Sequence, residues 1–221
     1  MMGKAIFITG TDTNVGKTVI TALIAKILLK KGKKVAVYKP VQCGNLLSGK
    51  IKSPDLFLIK KLSGIKEDWL FNDYSFKFAS SPHLAAELEN KKVDVKKIKT
   101  HYKSLLKKFD YVLIEGAGGL LVPLTRNYAV LDLIKELNSA VIVVSRAGLG
   151  TINHTTMTLK LLKERKIKVM GVIFNYFKGG KIEEDNQKII SSLNNIEVLG
   201  IVPYAKNINN LSEESSNFKF L

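Results

Sequence analysis

At 221 residues the chain is long enough to bury a large core as one α/β domain without covalent staples. Its single cysteine, Cys43, excludes an intramolecular disulfide and a cysteine zinc cluster. The opening MMGKAIFITG is too short an apolar run for a signal peptide, and no stretch approaches the roughly 18 apolar residues of a membrane span, so a soluble, cytoplasmic protein without a membrane partner is expected.

The formal net charge of +16 comes almost entirely from lysine, because Arg126, Arg146 and Arg165 are the only arginines. The lysines are spread along the chain. There is no arginine-rich tract and no RNP-like aromatic motif. The charge therefore reads as compositional bias with no nucleic-acid partner, although a positive field still attracts anionic substrates such as nucleotides.

The first apolar run, 5–9, predicts a buried strand. It leads into Gly10 to Thr18, GTDTNVGKT, and then into a helix over 16–31 with Ile20, Leu23, Ile24, Ile27 and Leu28 on one side. Strand, glycine-bounded loop, Lys-Thr and helix together make a phosphate loop. Backbone N–H groups and the helix dipole would face an anion, Gly16 would allow close approach, Lys17 would reach the terminal phosphates and Thr18 would hold Mg²⁺. Five residues separate the glycines, where the general pattern has four.

A second strand, 35–38, runs into Lys39-Pro40-Val41-Gln42-Cys43-Gly44. Lys39 at the carboxyl end of a strand is a candidate second cation facing the phosphates. After a loop over 45–52, Ser53 as N-cap, Pro54 and Asp55 open a helix that Gly64 ends. Asp55 is either a dipole-complementing acid or a Mg²⁺ ligand. Residues 65–80 alternate aromatic and polar positions without declaring one strand or an extended loop. Ser81-Pro82-His83 opens a second helix in the same manner, and Asp94 caps a lysine-rich helix to about Phe109. The strand Tyr111 to Ile114 ends in Glu115-Gly116-Ala117-Gly118-Gly119. A carboxylate at that tip is costly without a metal or cation beside it.

Residues 130–137 predict a short helix and 140–144 a strand. The loop from Arg146 to Thr151 leads into a helix carrying Asn153, His154 and Thr155 in its early turns. A strand over 168–174 ends at Asn175-Tyr176, where an amide could pair with the adenine edge or simply form a turn. A helix over 181–194 and a last strand over 197–202, ending at Pro203-Tyr204, complete the alternation; the tail beyond suggests a loop and a weak helix. Alternating strands and helices imply an α/β fold, a mostly parallel sheet flanked by helices on both faces, in one domain spanning 1–221.

GTDTNVGKT with its five-residue spacing, KPVQCG, Asp55, SSPH, EGAGGLLVP, GLGTINH and Asn175 together resemble dethiobiotin synthetase, in order from about residue 5 to 205. The longer phosphate loop is a property of that family. The resemblance implies a phosphate-loop NTPase fold, usually homodimeric. The implied reaction joins 7,8-diaminopelargonate and CO2 with ATP and Mg²⁺ to give dethiobiotin, ADP and phosphate. It makes Lys39 and Lys17 catalytic and gives Thr18, Asp55 and Glu115 to the metal. Asn14, Val15, Gly16, Lys17, Thr18, Val19, Asp55, Glu115, Gly116, Ala117, Gly118, Asn175, Tyr176, Pro203, Tyr204 and Ala205 are implied to bind ATP. Thr13, Lys39, Cys43, Ser81, Pro82, Gly118, Leu149, Gly150 and Asn153 are implied to bind the diamino acid, the 149–153 loop acting on a neighbouring subunit. Cys43 stands where the family usually has Ser or Thr, and a thiol is the weaker hydrogen-bond donor.

The nearest alternative is a partitioning- or metallochaperone-type ATPase. Such proteins often carry a second lysine early in the loop, where this chain has Thr11-Asp12-Thr13. A cobalamin-pathway amidating ligase would need a glutaminase domain for which the chain has no room. A nucleic-acid-binding module would rest on charge alone.

Overall fold

The computed structural model describes residues 2–44, 47–208, 211, 218 and 219. Strand β1 is Lys4–Gly10, β2 Val35–Tyr38, β4 Leu70–Phe71, β6 Tyr111–Glu115, β9 Ala140–Arg146, β10 Val169–Phe177 and β11 Val198–Pro203. They form one seven-stranded sheet in the order β11-β10-β9-β1-β6-β2-β4. Every pairing in it is parallel.

Both faces of this sheet are covered, so its strands alternate between two apolar layers. Ile6, Ile8, Val35, Val37, Leu113, Ile142 and Val144 pack on the face that carries α1 (Lys17–Lys30) and α2 (Pro54–Ser63). Phe7, Ala36, Tyr38, Val112, Ile114, Val141 and Val143 pack on the other face. That face carries α3 (Pro82–Leu88), α4 (Val95–Leu106), α5 (Val130–Leu137), α6 (Thr151–Glu164) and α7 (Lys181–Asn194). On α4 the residues Ile98, Tyr102, Leu105 and Leu106 are buried, which leaves its lysines on the solvated side as the 3.6-residue period requires.

Two predicted caps form. The Ser53 hydroxyl accepts from the Leu56 N–H at 3.2 Å, and Asp94 accepts from the Lys96 and Lys97 N–H groups. Ser81 precedes α3 but does not cap it; its hydroxyl lies 3.0 Å from His83 Nδ1.

The aromatic segment 65–80 is neither one strand nor one loop. A 3₁₀ turn at Glu67–Trp69 leads into β4, on the edge of the main sheet, and β5 (Tyr74–Phe76) pairs in parallel with β3 (Val41–Cys43) in a separate two-stranded sheet. A hairpin of β7 (Pro123–Thr125) and β8 (Tyr128–Ala129) was also not anticipated. Helix α4 stops at Leu106, short of the expected Phe109. Of the expected tail, residues 209, 210, 212–217, 220 and 221 lie outside the described residues, as do 45 and 46 of the expected 45–52 loop.

Strand order decides where a ligand binds. From β1 the chain passes through α1 to β2, on one side; β6 then connects across β1 to β9, on the other. The crevice at the carboxyl end of β1 is thus a topological switch point, where open parallel sheets hold their ligands.

Candidate active site

The phosphate loop leaves β1 at Gly10 and enters α1 at Gly16. Gly16 sits at φ 97°, in the left-handed region. A Cβ there would lie 1.8 Å from Asn175 Nδ2, so any other residue must displace the Asn175 side chain. Asn175 is only 2% exposed, and its amide donates to the Val15 carbonyl at 3.0 Å. The N–H groups of Lys17, Thr18 and Val19, in the first turn of α1, have no acceptor within the helix and add to its positive end. Lys17 Nζ reaches back across the loop to the Asp12 carbonyl at 2.9 Å. Burial brings its ammonium down to a pKa of about 8, against the opposing pull of Glu115 and with the repulsion of Lys39.

Register places the other charges. Ile8 pairs with Glu115 and Tyr38 with Ile114, so Lys39, one residue beyond β2, lies level with the acid at the end of β6. Lys39 Nζ is 2.9 Å from Glu115 Oε1 and 2.7 Å from Asp55 Oδ2. The Thr18 hydroxyl donates to the same Glu115 oxygen at 2.9 Å. Lys39 is 4% exposed and Glu115 is 1% exposed. Burial by itself would lower the Lys39 pKa; the carboxylates of Glu115 and Asp55 outweigh it and hold the value above that of an ordinary lysine. Lys39 is therefore a fixed positive charge beside the loop.

These groups line a cleft of 750 Å³. Thr13, Asn14, Gly16, Lys17, Thr18 and Val19 form one wall, Lys39, Cys43 and Asp55 another, and Ser81, Pro82 and Glu115 to Gly118 the remainder; Tyr176 reaches its rim. Other residues named from the sequence stand apart from it. Val15 is buried beneath the loop and Asn175 buttresses the loop. Tyr204, between Pro203 and Ala205, has its ring 6.5 Å from that of Tyr176. Leu149, Gly150 and Asn153 are exposed at the start of α6 and do not reach the cleft of their own chain; Leu149 is 98% exposed.

Gln42 was missed. It is 6% exposed, lines the cleft, and accepts from the Ser53 hydroxyl at 2.7 Å. Its signal lay within KPVQCG, one position before Cys43. Burial pushes the Cys43 thiol up to about 11, against the pull of Lys39, which keeps it protonated and unsuited to nucleophilic work.

The acids also fit a divalent cation. Glu115 Oε2 is buried without a hydrogen-bond partner, an expensive condition for a carboxylate oxygen. With the Thr18 hydroxyl and Asp55 it offers hard oxygen donors suited to Mg²⁺, which takes few protein ligands and completes its shell with phosphate and water.

A family model described as an AAA domain matches residues 4–212. The ATP-dependent dethiobiotin synthetase BioD of Clostridium acetobutylicum is 40% identical over 221 residues, covering 97% of this chain and 90% of that protein. The protein of the same name from Fusobacterium nucleatum is 41% identical over 199 residues, covering 89% and 90%. Among solved structures, the septum site-determining protein MinD of Pyrococcus horikoshii, complexed with Mg-ADP, superposes with a TM-score of 0.61 at 20% identity, covering 92% of this chain and 82% of that one. MinD of Aquifex aeolicus gives 0.60 at 17% identity, covering 94% and 85%. At such identities the likeness establishes the phosphate-loop fold alone. The relatives at about 40% identity, aligned over nearly the whole of both chains, establish more: this chain belongs to the ATP-dependent dethiobiotin synthetase family.

Proposed function

We propose that Lys39, Lys17, Thr18, Asp55 and Glu115 are the working residues of an ATP-dependent ligase that makes dethiobiotin in this cleft, within one domain spanning 1–221. The activity is that of the family, a step of biotin biosynthesis. One amine of 7,8-diaminopelargonate adds to CO2 and loses a proton to give a carbamate. A carbamate oxygen then displaces ADP from the γ-phosphorus of ATP, giving a carbamic–phosphoric anhydride. The second amine attacks the carbonyl carbon, phosphate leaves with the C–O bond electrons, the attacking nitrogen loses a proton, and the cyclic urea is closed.

The observation that carries the assignment is the Lys39 ammonium, buried between Asp55 and Glu115 beside the phosphate loop. Anchored there, it would hold the carbamate next to the phosphates and offset its charge as the oxygen attacks. Lys17 and the first N–H groups of α1 would cradle the β- and γ-phosphates and stabilise the moving phosphoryl group. Mg²⁺ held by Thr18, Asp55 and Glu115 would neutralise phosphate charge. Gly116, Ala117 and Gly118 would border the phosphates and the diamino acid, with Thr13, Cys43, Ser81 and Pro82 around the latter. Tyr176, Asn175 and the 203–205 segment would flank adenine. Leu149, Gly150 and Asn153 would act on the cleft of a second copy, which makes a homodimer part of the same reading. A cytoplasmic location accompanies it.

The test is phosphate release from Mg·ATP and bicarbonate, with and without 7,8-diaminopelargonate, together with product mass. Diamine-dependent release with an equal yield of dethiobiotin is expected. Hydrolysis indifferent to the diamine, with no ring product, would overturn the reading in favour of a nucleotide switch.

A further inference from the structure

The ammonium of Lys39 is held by its two acids, but its backbone is held from elsewhere. Lys39 stands at the corner between β2 and β3, just before Pro40, which has no N–H to give. The Lys39 N–H donates to the Phe71 carbonyl at 2.9 Å. The Lys39 carbonyl accepts from Asn72 Nδ2 at 2.7 Å. The same amide nitrogen donates to the Tyr74 carbonyl at 3.0 Å, and Asn72 Oδ1 accepts from the Ser75 hydroxyl at 2.5 Å. The Pro40 carbonyl accepts from the Tyr74 N–H at 3.0 Å. The Asn72 side chain thus has both amide hydrogens and its oxygen engaged, and it ties the corner carrying Lys39 to the linker between β4 and β5. Tyr38 and Asp73, neighbours of Lys39 and Asn72, are themselves joined by a short hydrogen bond from the tyrosine hydroxyl to the carboxylate.

We propose that Asn72 is a positioning residue for Lys39: its amide fixes the Lys39 peptide plane, and with it the direction in which the ammonium enters the cleft. The proposal rests on the role given to Lys39 above. A flexible lysine has four side-chain torsions to choose from. The two acids hold its tip, and the tip meets them in one place only if the peptide at its base is fixed. The hydrogen bonds of the Asn72 side chain go to Lys39, Tyr74 and Ser75, and Asn72 does not line the cleft, so it acts on Lys39 rather than on ATP. Catalytic groups must be held within about 0.5 Å, and a displacement of about 1 Å can cost on the order of 100-fold in rate.

The experiment compares Asn72→Ala, Ser75→Ala, Lys39→Ala and the double variant Asn72→Ala/Lys39→Ala in the full chain. Dethiobiotin formation by mass gives kcat and KM, and circular dichroism checks folding. Asn72→Ala should lower kcat roughly 10- to 100-fold with KM for Mg·ATP unchanged. Ser75→Ala, which frees the amide to rotate, should lower kcat by a smaller factor of about 2 to 5. On the Lys39→Ala background, Asn72→Ala should cost nothing further, because the group it positions is gone. A merely structural role would instead reduce stability and multiply the loss on both backgrounds.

Unchanged kcat in Asn72→Ala, or equal losses on both backgrounds, overturns the positioning role while leaving the role of Lys39 intact. Near-normal turnover by Lys39→Ala removes the role of Lys39 itself, and the positioning role with it. If Asn72→Ala does not fold, a folded Ser75→Ala decides: its kcat must fall at constant KM for Mg·ATP, and an unchanged kcat overturns the proposal.

Discussion

Replacing Lys39 by Met should destabilise the protein as well as inactivate it. The methionine keeps most of the lysine stem, so the packing change is small. What is lost is the ammonium 2.9 Å from Glu115 and 2.7 Å from Asp55. Asp55 is about one-third exposed and can turn to water, but Glu115 is 1% exposed and cannot. Its Oε1 would keep only the Thr18 hydroxyl, and its Oε2 already has no partner. Breaking a buried ion pair from one side costs about 3–5 kcal/mol, because the other charge stays buried. For a chain of this size, where 1 kcal/mol is worth about 2–4 °C, that lowers Tm by roughly 6–20 °C. Urea unfolding followed by circular dichroism, without nucleotide, measures it. Adding Glu115→Gln to Lys39→Met should restore about 2–3 kcal/mol relative to the sum of the single losses, since the amide leaves no stranded charge. A loss below about 1 kcal/mol for Lys39→Met, or strictly additive losses in the double variant, would refute the picture of one coupled buried cluster.

Gly16→Ala adds a left-handed alanine, costing about 1–2 kcal/mol, and displaces Asn175 from the Val15 carbonyl, costing about 1 more. The free loop relieves this strain by leaving the binding conformation and Mg·ATP must restore it, so affinity by calorimetry should fall by up to roughly 30- to 150-fold, and near-normal affinity would disprove the steric argument. Because burial brings the Lys17 pKa down to about 8, the free protein loses this positive charge as pH rises through 8, and phosphates bind the charged form. ATP affinity should therefore decline above pH 8 with a slope approaching tenfold per pH unit, whereas an affinity flat to pH 9.5 would show that Lys17 stays protonated. Leu149→Glu puts a charge on a side chain that is 98% exposed and proposed to meet a second copy. Sedimentation should show dissociation of the dimer with loss of ring closure, and a monomeric, active parent protein would disprove the shared site.

Most of the sheet and half of the site were legible because each rests on local chemistry. The phosphate loop declares itself through Gly16-Lys17-Thr18 between an apolar run and a helix with a 3.6-residue period. Ser53 and Asp94 announce their helices because an N-cap needs a short acceptor side chain. Glu115 stands out because an acid at the tip of YVLI demands a partner, which proved to be Lys39. The β3–β5 sheet was not legible: Val41–Cys43 and Tyr74–Phe76 are short, and the signal for their pairing lies across the fold. Nor was the division of the aromatic segment, where Asn72 and Asp73 break one alternating pattern between two sheets. Asn72 itself carries no motif; its importance appears only with its bonds to Lys39, Tyr74 and Ser75. Asp55 and Asn175 were ambiguous as single residues, an ordinary first-turn acid and an ordinary turn-former, and only the family resemblance singled them out.

The geometry also separates the site from the protein's excess charge. Lys17 and Lys39 inside the cleft face Asp55 and Glu115, so the cluster there is close to neutral although the chain carries +16. Two buried cations without acids would shed protons, because burial disfavours each charge and their mutual repulsion adds to it; at Lys17 burial comes first and the repulsion of Lys39 second among the effects that lower its pKa. The acids hold Lys39 charged where burial alone would neutralise it. Parallel register brings this about: β1, β6 and β2 are adjacent strands, and their ends deliver the phosphate loop, Glu115 and Lys39 at one level, while the capped start of α2 supplies Asp55. A slip of one residue in β2 would turn Lys39 to the opposite face of the sheet and leave Glu115 alone. The two backbone hydrogen bonds of Lys39, its N–H donating to the Phe71 carbonyl and its carbonyl accepting from the Asn72 amide, are made at the point where such a slip would begin.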